Sequence, residues 1–196
     1  MTRAQHPIEV ESYRILRSMV NTGALPPLTQ AVTERVIHTS ADLDYITDLV
    51  CDEEALYVGH RALVAGVPLV VDVRMVAAGI TSRQCVVALD LAPTLVAGST
   101  RSAAGIRAAA AEYPDGAVWV VGNAPTALRE LIRLAAAGLM RPVLVIGLPV
   151  GFVDAAAAKA ALRDAGLPAL SNRSAKGGAA VAAAAVNALL YGEPGR

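Results

Sequence analysis

Apolar and polar positions along the chain follow two rhythms, and the change comes near residue 69. Before it, apolar residues recur at helical spacing. Val10, Tyr13, Leu16 and Val20 predict a helix over residues 9–20, and Gly23 with the Pro26-Pro27 pair stops it. Leu28, Ala31, Val32 and Val36, with Arg35 and His38 among them, predict a second helix. The acidic stretch 42–48 starts another turn, and residues 53–65 read as a helix ended by Gly66. After residue 69, short apolar runs alternate with helical stretches. Residues 69–73, 85–89, 117–121, 142–146 and 168–170 have strand character. Between and after them, 101–112, 125–137, 154–165 and 178–190 have helical character. The strands are continuously apolar, as strands buried on both faces are. The pattern therefore predicts an α/β fold. A mainly parallel five-stranded sheet would carry helices on both faces, preceded by a helical N-terminal segment.

Composition adjusts this picture. At 196 residues the chain is most simply one domain over 1–196, with about 1–8 and 192–196 expected to be flexible. Hydrophobic residues make up 55% but aromatics only 4%, so the core must be built from Val, Leu, Ile and Ala at close approach. The alanine runs at 108–111, 155–158 and 182–185 are helix formers. Formal net charge is zero and no basic run stands out, which argues against nucleic acid or an anionic membrane as partner. No apolar run reaches the roughly 20 residues of a membrane span. The first ten residues lack an apolar signal-peptide core. Cys51 and Cys85 have no metal-ligand spacing, and a reduced, cytoplasmic setting is expected.

Ligands of open parallel sheets bind beyond the carboxyl ends of the strands. There stand Asp72 with residues 74–81, then 122–126, 147–152 and 171–178, each before a helix. Glycines in these loops permit close backbone approach, and helix N-termini favour anionic groups. No dinucleotide fingerprint, P-loop or nucleophile elbow is present. His6, His38 and His60 lack zinc-site spacing, so no metal is expected. His6 reads as a mobile terminal residue and His60 as a surface one. His38 is different: it follows Arg35 by three residues, so the two share a helix face. On its own such a pair is more often a solvated face. Beside four ligand-type loops, it suits an acidic substrate that needs a proton moved.

Taken together, the motifs resemble those of the precorrin-8X methylmutase (precorrin isomerase) family, with the cobalt-precorrin-8 methylmutases as its anaerobic counterpart. The likeness runs from about Glu11 to Leu190. It rests on Arg35-Val36-Ile37-His38, Met75-Val76-Ala77-Ala78-Gly79-Ile80-Thr81, Thr100-Arg101-Ser102-Ala103-Ala104, Gly122-Asn123-Ala124-Pro125-Thr126-Ala127-Leu128, Pro149-Val150-Gly151-Phe152-Val153 and Lys176-Gly177-Gly178. The resemblance implies an intramolecular methyl transfer from C11 to C12 of precorrin-8X or cobalt-precorrin-8, giving hydrogenobyrinate or cobyrinate. It implies a flavodoxin-like three-layer α/β/α sandwich, a homodimer with the active site near the interface, and no cofactor. His38 would be the catalytic proton donor and acceptor. Ser12 and Arg35 would contact substrate. Arg101, Asn123, Thr126, Gly151 and Lys176 are further candidates for its acidic arms. The alternative is a non-catalytic corrinoid-binding carrier of the same fold. The chain departs from the family pattern at Thr39 and Ser40, in a short 81–85 loop, and at 173–179, where one basic residue and one hydroxyl are missing. These departures bear on which substrate, metal-free or cobalt-containing, is recognised.

Overall fold

A computed structural model of the chain describes residues 6–93 and 98–191. The helical beginning comprises α1 (Pro7–Met19), α2 (Pro27–Ser40) and the single turn α3 (Tyr45–Asp48). A short strand β1 (Leu49–Cys51) and α4 (Glu53–Ala65) follow. The alternating part contains β2 (Leu69–Val71), α5 (Arg74–Gly79), β3 (Val86–Val87), α6 (Ala88–Leu91) and α7 (Arg101–Glu112). It ends with β4 (Val118–Val121), α8 (Pro125–Ala136), β5 (Leu144–Gly147), α9 (Ala155–Asp164), β6 (Ala169–Asn172) and α10 (Ala179–Tyr191).

The sheet corrects the five-strand expectation. It has six strands in the order β1-β6-β5-β4-β2-β3. β1 pairs antiparallel with β6, Val50 opposite Ser171, and the other pairings are parallel. A three-residue run between Asp48 and Asp52 is too short to show a period, so β1 was not visible in the pattern. The run expected at 85–89 divides instead. Only Val86 and Val87 pair in the sheet, and Ala88 begins α6.

Strand side chains alternate between two cores. Leu69, Val71, Val118, Val120, Leu144, Ile146 and Leu170 face the first, with α2, α4, α5 and α10. Val70, Trp119, Val121 and Val145 face the second, with α7, α8 and α9. Helices thus cover both faces of the mixed sheet. The low aromatic content is matched by close approach: a Cβ on Gly79 would lie 2.6 Å from that of Ala183, so α5 and α10 meet there only because one partner is glycine. Of the ends expected to fray, 1–5 and 192–196 lie outside the described residues. Pro7 and Ile8 open α1, and His6 caps it by accepting the Ile8 N–H at 3.2 Å.

Candidate functional site

α2 is fixed before it presents any chemistry. Pro26 precedes it and offers no side-chain cap. Glu53 of α4 supplies the missing acceptor, taking the N–H groups of Leu28 and Thr29, each at 2.8 Å, and the Thr29 hydroxyl at 2.7 Å. Further along, buried Glu34 ties α1 to α2. Its carboxylate accepts from Arg17 Nη2 at 2.7 Å, the Thr22 hydroxyl at 2.5 Å and Gln30 Nε2 at 3.1 Å. Burial pushes that carboxyl up, but these donors outweigh it and hold its pKa below the ordinary value.

One turn further, the two helices clasp His38. The Ser12 hydroxyl lies 2.7 Å from His38 Nδ1. The Tyr13 ring stacks on the imidazole, centroids 5.0 Å apart and planes 11° from parallel. Arg35 Nη1 donates to Glu9 Oε1 at 2.5 Å and to the Tyr13 hydroxyl at 3.3 Å. The Arg35 guanidinium also lies 6.0 Å from the Tyr191 ring centroid. Glu9, Ser12 and Tyr13 occupy positions i, i+3 and i+4 of α1, and Arg35 and His38 occupy i and i+3 of α2, so two complementary helix faces meet. His38 is half-buried and opens on a hollow of about 500 Å³. Glu9, Arg35 and Thr39 form its polar wall, while Gly79, Ala180, Ala183 and Ala184 form an apolar one. His6 and Ile8 line it from the start of α1, and Asn187 from α10, donating to the Gly79 carbonyl at 2.8 Å. Its Oδ1 is buried with no donor among the described residues.

A second hollow, about 480 Å³, lies at the carboxyl ends of β2 and β4, between Arg74, Met75, Asp90, Arg101 and Asn123. Asp72, buried next to it, holds the loop that carries Asn123. The carboxylate accepts backbone N–H groups from Gly122 at 3.1 Å, Asn123 at 2.8 Å and Ala124 at 3.1 Å. Burial pushes the Asp72 carboxyl above its ordinary pKa even against those donors. Arg74 is paired with Asp90 at 3.0 Å. Exposed Arg101, in the first turn of α7, has no charged partner among the described residues. The Thr126 hydroxyl meets that of Thr100 at 2.8 Å, joining the starts of α7 and α8.

Gly151 and Lys176 belong to a third neighbourhood, beyond β5 and β6. Gly151 N–H donates to the Ala175 carbonyl at 3.1 Å. Lys176 Nζ is committed to Asp42 at 2.7 Å and Asp44 at 2.6 Å, so its charge is already neutralised. Beneath this loop runs a buried network. Lys159 Nζ donates to Asn172 Oδ1 at 2.7 Å and the Lys176 carbonyl at 2.6 Å. Asn172 Nδ2 donates to Asp48 at 2.8 Å, and Asp48 also receives the N–H groups of Arg173 and Ser174. Burial pushes the Lys159 ammonium down to about 8, with the Asp48 charge pulling the other way. Burial would raise Asp48, but the hydrogen bonds from Asn172, Ser174 and Arg173 hold it below its ordinary value.

The structure thus brings His38, Ser12 and Arg35 together and places Arg101 and Asn123 elsewhere, with Thr126 beside them. α5 links the two hollows: Met75 lines one and Gly79 the other, about 6 Å apart along its axis. Sequence reasoning missed Glu9, Asn187 and Lys159 as members of these sites. Lys159 had a readable signal, since it shares the helix face of Ala155, Ala158 and Leu162 in an otherwise apolar stretch. His60, read as a surface residue, is half-buried, with Nδ1 2.7 Å from the Leu189 carbonyl.

Comparison with known proteins accounts for nearly the whole chain. The profile of the precorrin-8X methylmutase family matches residues 7–192. The cobalt-precorrin-8 methylmutase of Synechocystis sp. is 36% identical, with 97% of each chain covered. The precorrin-8X methylmutase of Pseudomonas aeruginosa is 38% identical, with 91% of each covered. The crystal structure of the precorrin-8X methylmutase from Thermus thermophilus superposes with a TM-score of 0.84 at 36% identity, covering 93% of each chain.

Proposed function

The chain belongs to the precorrin-8X methylmutase family and is an isomerase of corrin biosynthesis, and from that premise we propose that His38 drives the methyl shift. The substrate is precorrin-8X or its cobalt form, and the methyl moves from C11 to C12 of the macrocycle. A 1,5-shift within one conjugated ring needs no external redox partner. It needs the tautomer in which the methyl can migrate. The observation that carries the reading is the held imidazole: Ser12 occupies Nδ1, Tyr13 covers one ring face, and the hollow lies before the rest. Nε2 is then the nitrogen left to give a proton to the macrocycle and take it back. The macrocycle would lie against the small side chains of α10 and Gly79, with its carboxylate arms reaching outward. Arg35 is the nearest cation, and both its bonds to α1 run through Nη1. A guanidinium has five donor hydrogens, so an arm of the substrate can share it with Glu9 or displace Glu9. Arg101 and Asn123, at the far end of α5, would receive a second arm, with Thr126 beside them and Gly151 and Lys176 further round the rim.

The fold reading goes with it. In sequence order the five parallel strands lie 2-1-3-4-5, which supports a flavodoxin-like sandwich with its crevice between β2 and β4. The working unit is a cytoplasmic homodimer with the site near its interface. Phe152 and Val153, 104% and 84% exposed beside Gly151, support a surface that a second copy covers.

The test uses purified protein and precorrin-8X or cobalt-precorrin-8 without added cofactor. Conversion appears as the absorbance change of the rearranged macrocycle. Tight binding without that change would reduce the protein to a corrinoid carrier.

A further inference from the structure

The imidazole of His38 is restrained in two independent ways. The Tyr13 ring, 11° from parallel, fixes the plane of the imidazole but not which edge faces which way. A half-turn of the ring keeps that plane and exchanges Nδ1 for a carbon. Among the described residues, only the contact from Ser12 Oγ to Nδ1, at 2.7 Å, distinguishes the two orientations. Beyond His38, the Ser12 hydroxyl has no other hydrogen-bond partner among the described residues. A hydroxyl can donate or accept, so the geometry alone permits two tautomers.

Proton bookkeeping chooses between them. A histidine that gives and reclaims a proton alternates between imidazolium and neutral imidazole. If the exchange runs through Nε2, Nδ1 carries its hydrogen in both states. That hydrogen needs an acceptor throughout, and Ser12 Oγ is the atom standing there. Were the serine to donate instead, neutral His38 would already carry its hydrogen on Nε2 and would have no lone pair there with which to reclaim a proton. We infer that Ser12 is a positioning residue that accepts the Nδ1 hydrogen of His38, fixing the tautomer whose Nε2 lone pair opens on the hollow. The carboxylate that usually orients a catalytic histidine is replaced here by a neutral hydroxyl. Glu9, the nearest carboxylate on α1, is turned to Arg35. The choice of tautomer rests on the proton-transfer reading of His38, but the ring-nitrogen signals that test it are read without any turnover.

Nitrogen NMR of the full chain labelled with ¹⁵N-histidine tests this, with the His38 signals assigned by their absence from His38→Gln. At a pH where the ring is neutral, Nδ1 should show the shift of a protonated nitrogen and Nε2 that of a bare one. Ser12→Ala should move both toward the averaged values of a tautomer mixture, and Ser12→Thr should restore them. In the conversion assay Ser12→Ala should lower kcat about tenfold, the worth of one hydrogen bond, with KM nearly unchanged. Alanine is a better helix former than serine, so α1 is not weakened by the change. A hydrogen on Nε2 in the unsubstituted protein overturns the inference without any variant. So do His38 shifts that ignore Ser12→Ala, or a rise in KM with kcat intact. The expected shifts in a protein that converts nothing would support the positioning role and strike the proposed reaction instead.

Discussion

The two ends of α5 open on surroundings built in opposite ways. At Gly79 the polar groups belong to side chains meeting across two helices, and only Leu16 of α1 is buried. At Met75 the polar group that matters is one buried carboxylate gripping backbone: Asp72 takes three N–H groups of the loop after β4. The network of Lys159, Asn172 and Asp48 does the same for the loop after β6. The first arrangement can alter its hydrogen bonds without disturbing the core. The second cannot, because each lost acceptor strands a buried donor. The difference separates the region proposed to move a proton from regions that hold loops still. Substitutions on the helical side should therefore affect turnover with little change in stability, and those on the rim should affect stability first.

The largest effect is expected at His38. His38→Ala should reduce conversion by about 10²–10⁴-fold, the usual worth of a general acid–base. The melting temperature should barely move, because Leu28, Val32, Val36 and Ile37 anchor α2 without it. Corrinoid binding, followed by absorbance, should persist. Near-normal conversion would end the proton-transfer role.

Next is Asp72, which no reading of the reaction requires. Asp72→Ala leaves three backbone donors without their acceptor and should cost about 3 kcal/mol. In a chain of 196 residues that is a fall of about 6–12 °C in melting temperature, measurable by calorimetry. If Asp72→Ala instead lost turnover at unchanged stability, the contrast between the two ends of α5 would be wrong.

Lys159 gives a smaller effect with a distinct pH signature. Lys159→Met removes the donor to Asn172 and to the Lys176 carbonyl and should cost about 1–3 kcal/mol at neutral pH. Burial holds the folded pKa near 8, against 10.5 in the unfolded chain. Between those values the unfolded chain binds a proton that the folded chain does not, so stability gains from this group as pH rises through the window. Denaturant titrations from pH 8 to 10.5 should show that gain in the parent protein and not in Lys159→Met. A parent protein without it would mean that Lys159 is solvated.

These residues also mark how far the sequence could be read. The alternation at 69–71, 118–121 and 144–147 was legible because each strand is apolar on both faces, and the two cores confirm it. β1 was not, because three residues carry no period and its existence depends on β6. α5 has the sequence character of a loop, since six residues opened by Val73 offer no capping side chain. Arg35 and His38 were legible as a pair because their spacing lies within one helix. Their partners Glu9, Ser12 and Tyr13 lie on another helix, and no single-helix periodicity reports which faces two helices turn to each other. Arg35 shows the cost of that gap. The sequence offers its charge to substrate alone, yet it already meets a carboxylate of its own chain.

The smallest effect tests that last point. The Glu9–Arg35 pair is mostly buried, with side chains 16% and 19% accessible, but Glu9→Gln keeps an oxygen that can accept from Arg35, so stability should change by only about 1 kcal/mol. Its effect on substrate is more informative. If Arg35 receives an acidic arm, Glu9 competes with that arm for the guanidinium, and neutralising Glu9 should lower KM a few-fold while leaving kcat alone. If Glu9 instead aims Arg35 at the arm, the same substitution raises KM. Steady-state kinetics at two salt concentrations separate these cases, because a substrate carboxylate on a freed Arg35 is the more strongly screened interaction. A KM that responds to neither the substitution nor the salt would remove Arg35 from substrate binding and leave it as the strut that carries Tyr13 to His38.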